Sequence, residues 1–138
     1  MVGLPYERLF SQFRLRRFML RNRIAVLPYG TAMVDHGVPN DGDKAHYAAI
    51  ARSGPGLIFT GATVVHPSSA MRNRILTEAY DERAVDSLKS KAAMMHAYGA
   101  TVFGQIVHLG REWPVGDSDV PPMAPSAIRS PRVFIQQQ

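Results

Sequence analysis

The side chains best suited to chemistry lie in residues 101–112, which read Thr-Val-Phe-Gly-Gln-Ile-Val-His-Leu-Gly-Arg-Glu. The pattern predicts an apolar strand, and Gln105 is the first polar side chain within it. A buried amide without partners costs about 1–3 kcal/mol, so Gln105 is expected to bind another group. His108 and Arg111 follow where the strand ends, and parallel α/β folds place their ligands at that end. We therefore expect the functional site here.

Each of these residues also has a purely structural interpretation. Gln105 can be a satisfied core amide, and His108 can hydrogen-bond the loop after the strand instead of lining a substrate pocket. Arg111 is more typical of a structural partner for a carboxylate. No metal site is expected, because the spacing of metal ligands is absent from His36, His46, His66 and His96. Gly30 and Gly61 do not belong to a phosphate-binding glycine motif.

Length and composition indicate one packed domain. The chain has 138 residues, of which 46% are hydrophobic and 20% charged, and this composition argues against global disorder. There is no cysteine, which excludes disulfides within these residues. Residues 1–6 lack the apolar core of a signal peptide, and no apolar run reaches about 18 residues. We expect a cytoplasmic protein that does not interact with membranes.

The net charge of +5 comes largely from arginines between residues 14 and 23. Such a cluster can form a nucleic-acid patch. It can also be the solvated face of a two-stranded ribbon, because the arginines alternate with apolar residues over 13–20. The alternation favours the ribbon, and no nucleic-acid partner is expected.

Three apolar runs that do not alternate predict strands buried on both faces, at 24–27, 57–59 and 101–107. Two helices are predicted between them, with N-caps at Asp43 and Asp81 and ends at Gly54 and Gly99. Residues 34–42 and 64–80 are predicted to be connections. The expected apolar stripes of the two helices are Tyr47, Ile50 and Ala51, and Val85, Leu88, Ala92 and Met95.

The order strand, helix, strand, helix, strand predicts a parallel sheet built from two right-handed βαβ units. Three strands leave two open edges, whereas an eight-stranded barrel takes about 250 residues. We therefore expect the faces at Val26, Ile58, Phe103 and Ile106 to be exposed and to promote association.

Four segments, taken in order, resemble the old yellow enzyme family of NADH:flavin oxidoreductases, which includes 2,4-dienoyl-CoA reductase-like members. Residues 10–18 are similar to the family's opening ribbon, and Asn22-Arg23-Ile24 with Pro28 is similar to its "NRI…P" first strand. Residues 105–111, Gln-Ile-Val-His-Leu-Gly-Arg, resemble the "Q-L-x-H-x-G-R" third strand. Residues 124–128 read Ala-Pro-Ser-Ala-Ile, as in the family's "APSAI" segment.

This resemblance implies an α/β fold: the N-terminal βαβαβ portion of a (β/α)8 TIM barrel, preceded by a short β-ribbon and apparently truncated. Residues 1–138 would form a single incomplete domain with an irregular tail at 113–138. The implied reaction is hydride transfer from NAD(P)H through FMN to an activated alkene, such as an enone or a dienoyl substrate.

By position, the resemblance assigns the flavin ring to Pro28, Tyr29, Gly30, Ala62 and Gln105. Many relatives carry a threonine or cysteine at the position of Gly30, so tuning of the flavin by a side chain is not expected here. The implied role of His108 is substrate binding.

The family's substrate-binding histidine pair and its proton-donating tyrosine do not occur in these 138 residues, so no catalytic residue is assigned. The chain alone is expected to hold FMN weakly and not to reduce enones. The alternative is a non-catalytic fragment that functions only with a partner, either a further copy or a missing C-terminal part.

Overall fold

A computed structural model describes residues 6–70, 74–112, 120–121, 123–128 and 131. The predicted tail at 113–138 lies mostly outside these residues, and its described parts contain neither helix nor strand. The division of the chain into domain and tail stays a prediction. In chain order, the helices and strands are α1 (Glu7–Phe10), β1 (Phe13–Leu15), β2 (Phe18–Leu20), β3 (Ala25–Val26), β4 (Val34–Asp35), β5 (Val38–Pro39), α2 (Asp41–Arg52), β6 (Leu57–Val64), β7 (Thr77–Glu78), α3 (Ala84–Ala97) and β8 (Thr101–Val107).

The three predicted strands are neighbours and run parallel, as the apolar runs indicated. β6 is central: Val26 of β3 pairs with Ile58, and Ile58 also pairs with Val102 of β8. β6 is longer than predicted, because a bulge between Thr60 and Thr63 absorbs the small residues and lets pairing with β8 continue. β3 is shorter than predicted, and Leu27 just beyond it is 71% exposed.

Helices α2 and α3 cover one face of this sheet. Tyr47 and Ala51 of α2, Ile58 of β6 and Met95 of α3 form the buried core, with Val102 packed against it. Val26 also packs against this core and Ile58 has no exposed surface, so the prediction that these two are exposed was wrong. Their side chains point toward α2 and α3, and these two helices cover them.

The opposite face of the sheet meets the ribbon. β1 and β2 pair antiparallel around Arg16 and Arg17, as the alternating pattern predicted. The ring of Phe18 lies edge-on to Phe103, with centroids 5.5 Å apart, and Phe103 meets Phe59 at the same separation. Phe103 is only partly exposed for this reason, whereas Ile106 is 74% exposed as expected.

The helix ends follow the predicted glycines more closely than the predicted caps. Gly54 and Gly99 have φ of +90° and +76° just after α2 and α3, a conformation that glycine adopts without strain. Asn40, not Asp43, caps α2, accepting the N–H groups of Gly42 and Asp43. Asp81 lies before the start of α3 and accepts the N–H of Arg83 in the preceding turn.

The buried stripe of α3 includes Met95 as predicted, but its other three members lie one position before the predicted ones. Val85 is 55% exposed, whereas the residues that face inward are Ala84, Ser87, Lys91 and Met95. A search for apolar side chains alone misses this face because two of its four members are polar.

Both predicted connections contain short strands. β4 and β5 form a small antiparallel hairpin within 34–42, and β7 pairs in parallel with the end of β6 within 64–80. Glu78 of β7 is 1% exposed and binds the guanidinium of Arg74. A Cβ on Gly37, in the hairpin turn, would lie 2.5 Å from the Glu78 carboxyl group, so this close approach requires glycine.

Candidate functional site at the strand ends

Three neighbouring segments bring four of the five predicted ring-binding residues, all except Pro28, to one level of the sheet. Thr60 pairs with Gly104 and Thr63 with Ile106, so Gln105 lies opposite the bulge formed by residues 61–62. On the other side of the bulge, a Cβ added to Gly61 would overlap the carbonyl oxygen of Tyr29. The backbone after β3, the bulge of β6 and the end of β8 therefore form one continuous strip.

Gln105 projects from the sheet face opposite the helices. Val102 packs into the helix layer and Phe103 faces the ribbon, and side chains alternate along a strand, so Gln105 shares the face of Phe103. The side chain is exposed, contrary to the expectation of a buried amide, because β8 pairs with β6 alone among the described strands. Within the described residues its amide has no hydrogen-bond partner, so both its donor and its acceptor are available.

A shallow concavity beside the strip includes three of the five predicted residues. Tyr29, Gly30 and Ala62 line it together with Thr31, Tyr47 and Lys91. Pro28 and Gln105 are not among its lining residues. The loop after β3 and the bulge therefore line the same concavity, and Gln105 lies at the same level on the neighbouring strand β8.

A polar network that the sequence analysis missed lies along the wall of this concavity. The Tyr47 hydroxyl donates to the carbonyl of Tyr29 (3.2 Å) and accepts the N–H of Gly61 (2.7 Å). Burial raises the pKa of this hydroxyl; the Gly61 bond acts in the opposite direction, and the charge of Asp43 raises the pKa further. Tyr47 is therefore a neutral donor at physiological pH.

An ion pair between the two helices supports Tyr47. The ammonium of Lys91 donates to Asp43 at 2.7 Å, and both residues are under 5% exposed. The Lys91 nitrogen also lies 4.9 Å from the centre of the Tyr47 ring, within cation–π range. The second oxygen of Asp43 accepts the hydroxyl of Thr31 at 2.7 Å. One sequence signal was available: Asp43 and Tyr47 are four residues apart and share a helix face.

His108 contacts two loops. Its Nδ1 accepts the N–H of Gly110 at 3.0 Å, and its Nε2 lies 2.9 Å from the hydroxyl of Ser68, in the loop after β6. The Ser68 hydroxyl also lies 2.8 Å from Nδ1 of His66. His108 thus hydrogen-bonds the loop after its strand, as the structural interpretation predicted. Its role in substrate binding stays a prediction.

The basic residues of the N-terminal region contact the protein itself. Arg17 and Arg23 lie over the rings of Phe18 and Phe13 in the ribbon. Arg21 donates to the carbonyls of Pro55 and Tyr98, just beyond the ends of α2 and α3. These contacts support the ribbon interpretation of the arginine cluster. Arg111 pairs with the carboxylate of Glu112, as the structural interpretation proposed.

The part of the chain that the structure describes contains neither a cluster of metal ligands nor a membrane-spanning helix. No group of three or more His, Asp or Glu side chains there is arranged to hold a metal ion. None of the described helices is long and apolar enough to cross a membrane.

Comparison with known proteins identifies the family. The sequence model of the NADH:flavin oxidoreductase / NADH oxidase family matches residues 8–136. The chain belongs to the NADH:flavin oxidoreductase / NADH oxidase family. Members of this family bind FMN, use NAD(P)H as reductant and act on small-molecule substrates.

Individual relatives extend well beyond the matched region. The chain is 32% identical to a probable N-methylproline demethylase of Rhizobium meliloti, over 91% of this chain and 19% of that protein. It is 33% identical to an NADPH dehydrogenase of Listeria welshimeri, over 88% of this chain and 36% of that protein. The chain therefore spans between about a fifth and about a third of the length of these relatives.

A solved structure confirms the predicted fold class. The old yellow enzyme homologue of Zymomonas mobilis superimposes with a TM-score of 0.77 at 28% identity, covering 89% of this chain and 34% of that one. The described strands and helices thus match about a third of an old yellow enzyme barrel.

The residues of the strip are chemically suited to a flavin ring. A flavin presents alternating N–H, C=O and ring-nitrogen groups along one edge, and an unpaired amide such as Gln105 can donate to and accept from that edge. Ala62 is small and Gly30 has no side chain, so a planar ring can approach the backbone closely.

Proposed function

We propose that this chain supplies the ring-binding strip of an FMN-dependent oxidoreductase that reduces activated alkenes, either enones or dienoyl substrates. When bound, FMN would supply the redox chemistry, which is the transfer of a hydride from NAD(P)H to the β-carbon of the alkene while the α-carbon takes up a proton. The observation that supports this function best is the unpaired Gln105 amide, at the level of the small-residue bulge and the backbone of residues 29–30.

The chain's own groups bind and orient the ring. Gln105 would bind the polar edge of the ring through one donor and one acceptor. The backbone of residues 28–30 and Ala62 would contact the ring beside it. These residues would thereby orient the ring toward substrate, and orientation of this kind is the protein's main contribution in cofactor enzymes.

The 138-residue chain is expected to bind FMN weakly and to show no enone reduction above that of free FMN. Barrels of this class place the phosphate site after their last two strands, whereas the strip would contact the ring alone. NADPH-dependent reduction of cyclohexenone by the purified chain measures this directly. Turnover well above free FMN would contradict the expectation and would mean that several copies assemble a complete site.

The binding role itself is tested by titrating FMN into the chain and into two variants. Gln105→Leu removes both hydrogen bonds and should weaken binding about five- to thirtyfold, the equivalent of about 1–2 kcal/mol. Gln12→Leu is the matched control, because Gln12 is also exposed but lies beside the ribbon. Equal dissociation constants for all three proteins would refute the proposal.

A second candidate is a non-catalytic chain that functions with a partner, such as a further copy. The exposure of Leu27 (71%), just beyond β3, and of Ile106 (74%) in β8 favours it. Sedimentation of the chain with and without FMN separates the two candidates. Association that is independent of flavin, together with an unchanged Gln105→Leu variant, would favour the second.

A further inference from the structure

Two backbone groups at the edge of the strip are bound by the same side chain. The carbonyl of Tyr29, after β3, accepts from the Tyr47 hydroxyl, and the N–H of Gly61, in the bulge of β6, donates to it. A hydroxyl carries one proton and accepts through its lone pairs, so these two bonds make use of both capacities. Tyr47 therefore bridges the two segments that line the concavity.

The bond to Tyr29 also sets the direction of the next amide. In a trans peptide the C=O of one residue and the N–H of the next point in opposite directions. Because the Tyr29 carbonyl is turned toward Tyr47, the N–H of Gly30 is turned away from it. That N–H has no acceptor among the described residues, so it is free to donate to a ligand.

The ion pair behind Tyr47 restricts this arrangement further. Asp43 holds the Thr31 hydroxyl, two residues beyond Tyr29, and Lys91 joins Asp43 to the face of the Tyr47 ring. Buried ion pairs are poor general stabilisers, since their desolvation offsets most of the attraction, but they can specify one geometry. Here the geometry specified is that of the loop at residues 29–31.

We propose that Tyr47, supported by Asp43 and Lys91, is a positioning residue of the flavin site. It presents the Gly30 N–H to the ring and fixes the distance between the loop after β3 and the bulge that carries Ala62. This inference rests on the proposed function, because it assigns the ligand of the strip as a flavin. Tyr47 would act through the backbone that it holds.

The test compares the full chain with Tyr47→Phe, which keeps the buried ring and removes only the hydroxyl. Tyr98→Phe is the matched control, since Tyr98 is 40% exposed and lies beyond the end of α3. Three quantities are measured: FMN affinity, the visible absorption band of the bound flavin, and hydrogen–deuterium exchange of peptides covering residues 29–31 and 60–62.

The proposal predicts about tenfold weaker FMN binding for Tyr47→Phe, a bound-flavin band shifted toward that of free FMN, and faster exchange confined to these two segments. Tyr98→Phe should match the parent chain in all three. Faster exchange with unchanged affinity and spectrum would overturn the proposal, because Tyr47 would then be a packing residue only.

Failure of the proposed function gives a different result. If the parent chain shows no FMN binding, the assignment of a flavin to the strip is overturned for this chain. Hydrogen–deuterium exchange in Tyr47→Phe still shows whether the hydroxyl holds residues 29–31 and 60–62 together. No change in exchange would overturn the positioning role independently of the ligand.

Discussion

Replacing Lys91 by methionine should destabilise the fold strongly, because it leaves the carboxylate of Asp43 buried without its cation. The ammonium and the carboxylate are 2.7 Å apart, and the two side chains are 5% and 4% exposed. Removing one partner of such a pair costs about 3–5 kcal/mol. Asp43 lies in the first turn of α2, where the helix dipole favours negative charge by up to about 1 kcal/mol. We therefore expect a loss of about 3 kcal/mol, a large share of a typical domain's stability.

Urea unfolding of four proteins measures this loss. Lys91→Met is compared with the parent chain, with Asp43→Asn/Lys91→Met and with Lys44→Met. The double variant should recover about 1–2 kcal/mol relative to Lys91→Met, because an asparagine can still accept from Thr31 and carries no charge to desolvate. Lys44 pairs with Asp41 on the same helix but at 37% and 102% side-chain exposure, so Lys44→Met should change stability by less than about 1 kcal/mol.

Two outcomes would refute this reasoning. A loss below about 1 kcal/mol for Lys91→Met would show that the carboxylate finds another partner or reaches water. A double variant less stable than Lys91→Met would show that Asp43 contributes through its charge at the helix start instead of through Lys91.

Two further predictions concern the close contacts in the sheet and the turn before α3. Gly61→Ala should lower the free energy of unfolding in urea by about 1–3 kcal/mol, because the added methyl overlaps the Tyr29 carbonyl. Gly104→Ala is the control: its methyl would lie 3.8 Å from the nearest atom, so its free energy of unfolding should change by less than about 0.5 kcal/mol. Equal losses for the two alanines would contradict the tight contact of the loop with β6. The guanidinium and N–H of Arg83 lower the pKa of Asp81 from 3.8 to about 2, so its contribution to stability is present above pH 3.8 and disappears as the pH falls toward 2. The difference in urea midpoint between Asp81→Asn and the parent chain should shrink across that range, and a constant difference would refute the assignment.

The elements with strong local signals were predictable from the sequence. Three apolar runs gave three adjacent parallel strands, and Gly54 and Gly99 marked the helix ends because both adopt positive φ. The alternation over residues 13–20 gave the ribbon. In each case the residues of the segment itself carry the signal that determines its structure.

The polar contacts across the core were not predictable in the same way. Lys91 faces inward because Asp43, 48 residues away, meets it there. A lysine in a helix is ordinarily read as solvent-exposed. The shift of the α3 stripe from Val85 to Ala84 has the same origin, since the face chosen depends on the partner helix as well as on hydrophobicity.

The exposure of Gln105 could not be predicted from the sequence for a different reason. Its position in an apolar run predicted burial, but burial depends on what pairs beside β8 and not on the strand's own residues. The role of Gln105 in binding a ring stays a prediction. Register then placed Gln105 level with residues 61–62, a relation that no local pattern contains.

Binding of one planar ring along the strip is tested most directly by nuclear magnetic resonance of the isotopically labelled 138-residue chain during titration with FMN. This measurement detects weak binding residue by residue. Chemical-shift changes should be concentrated at the backbone amides of Gly30 and Ala62 and at the side-chain amide of Gln105. Shifts confined to the arginine ribbon at residues 13–20, or no shift at millimolar FMN, would contradict it.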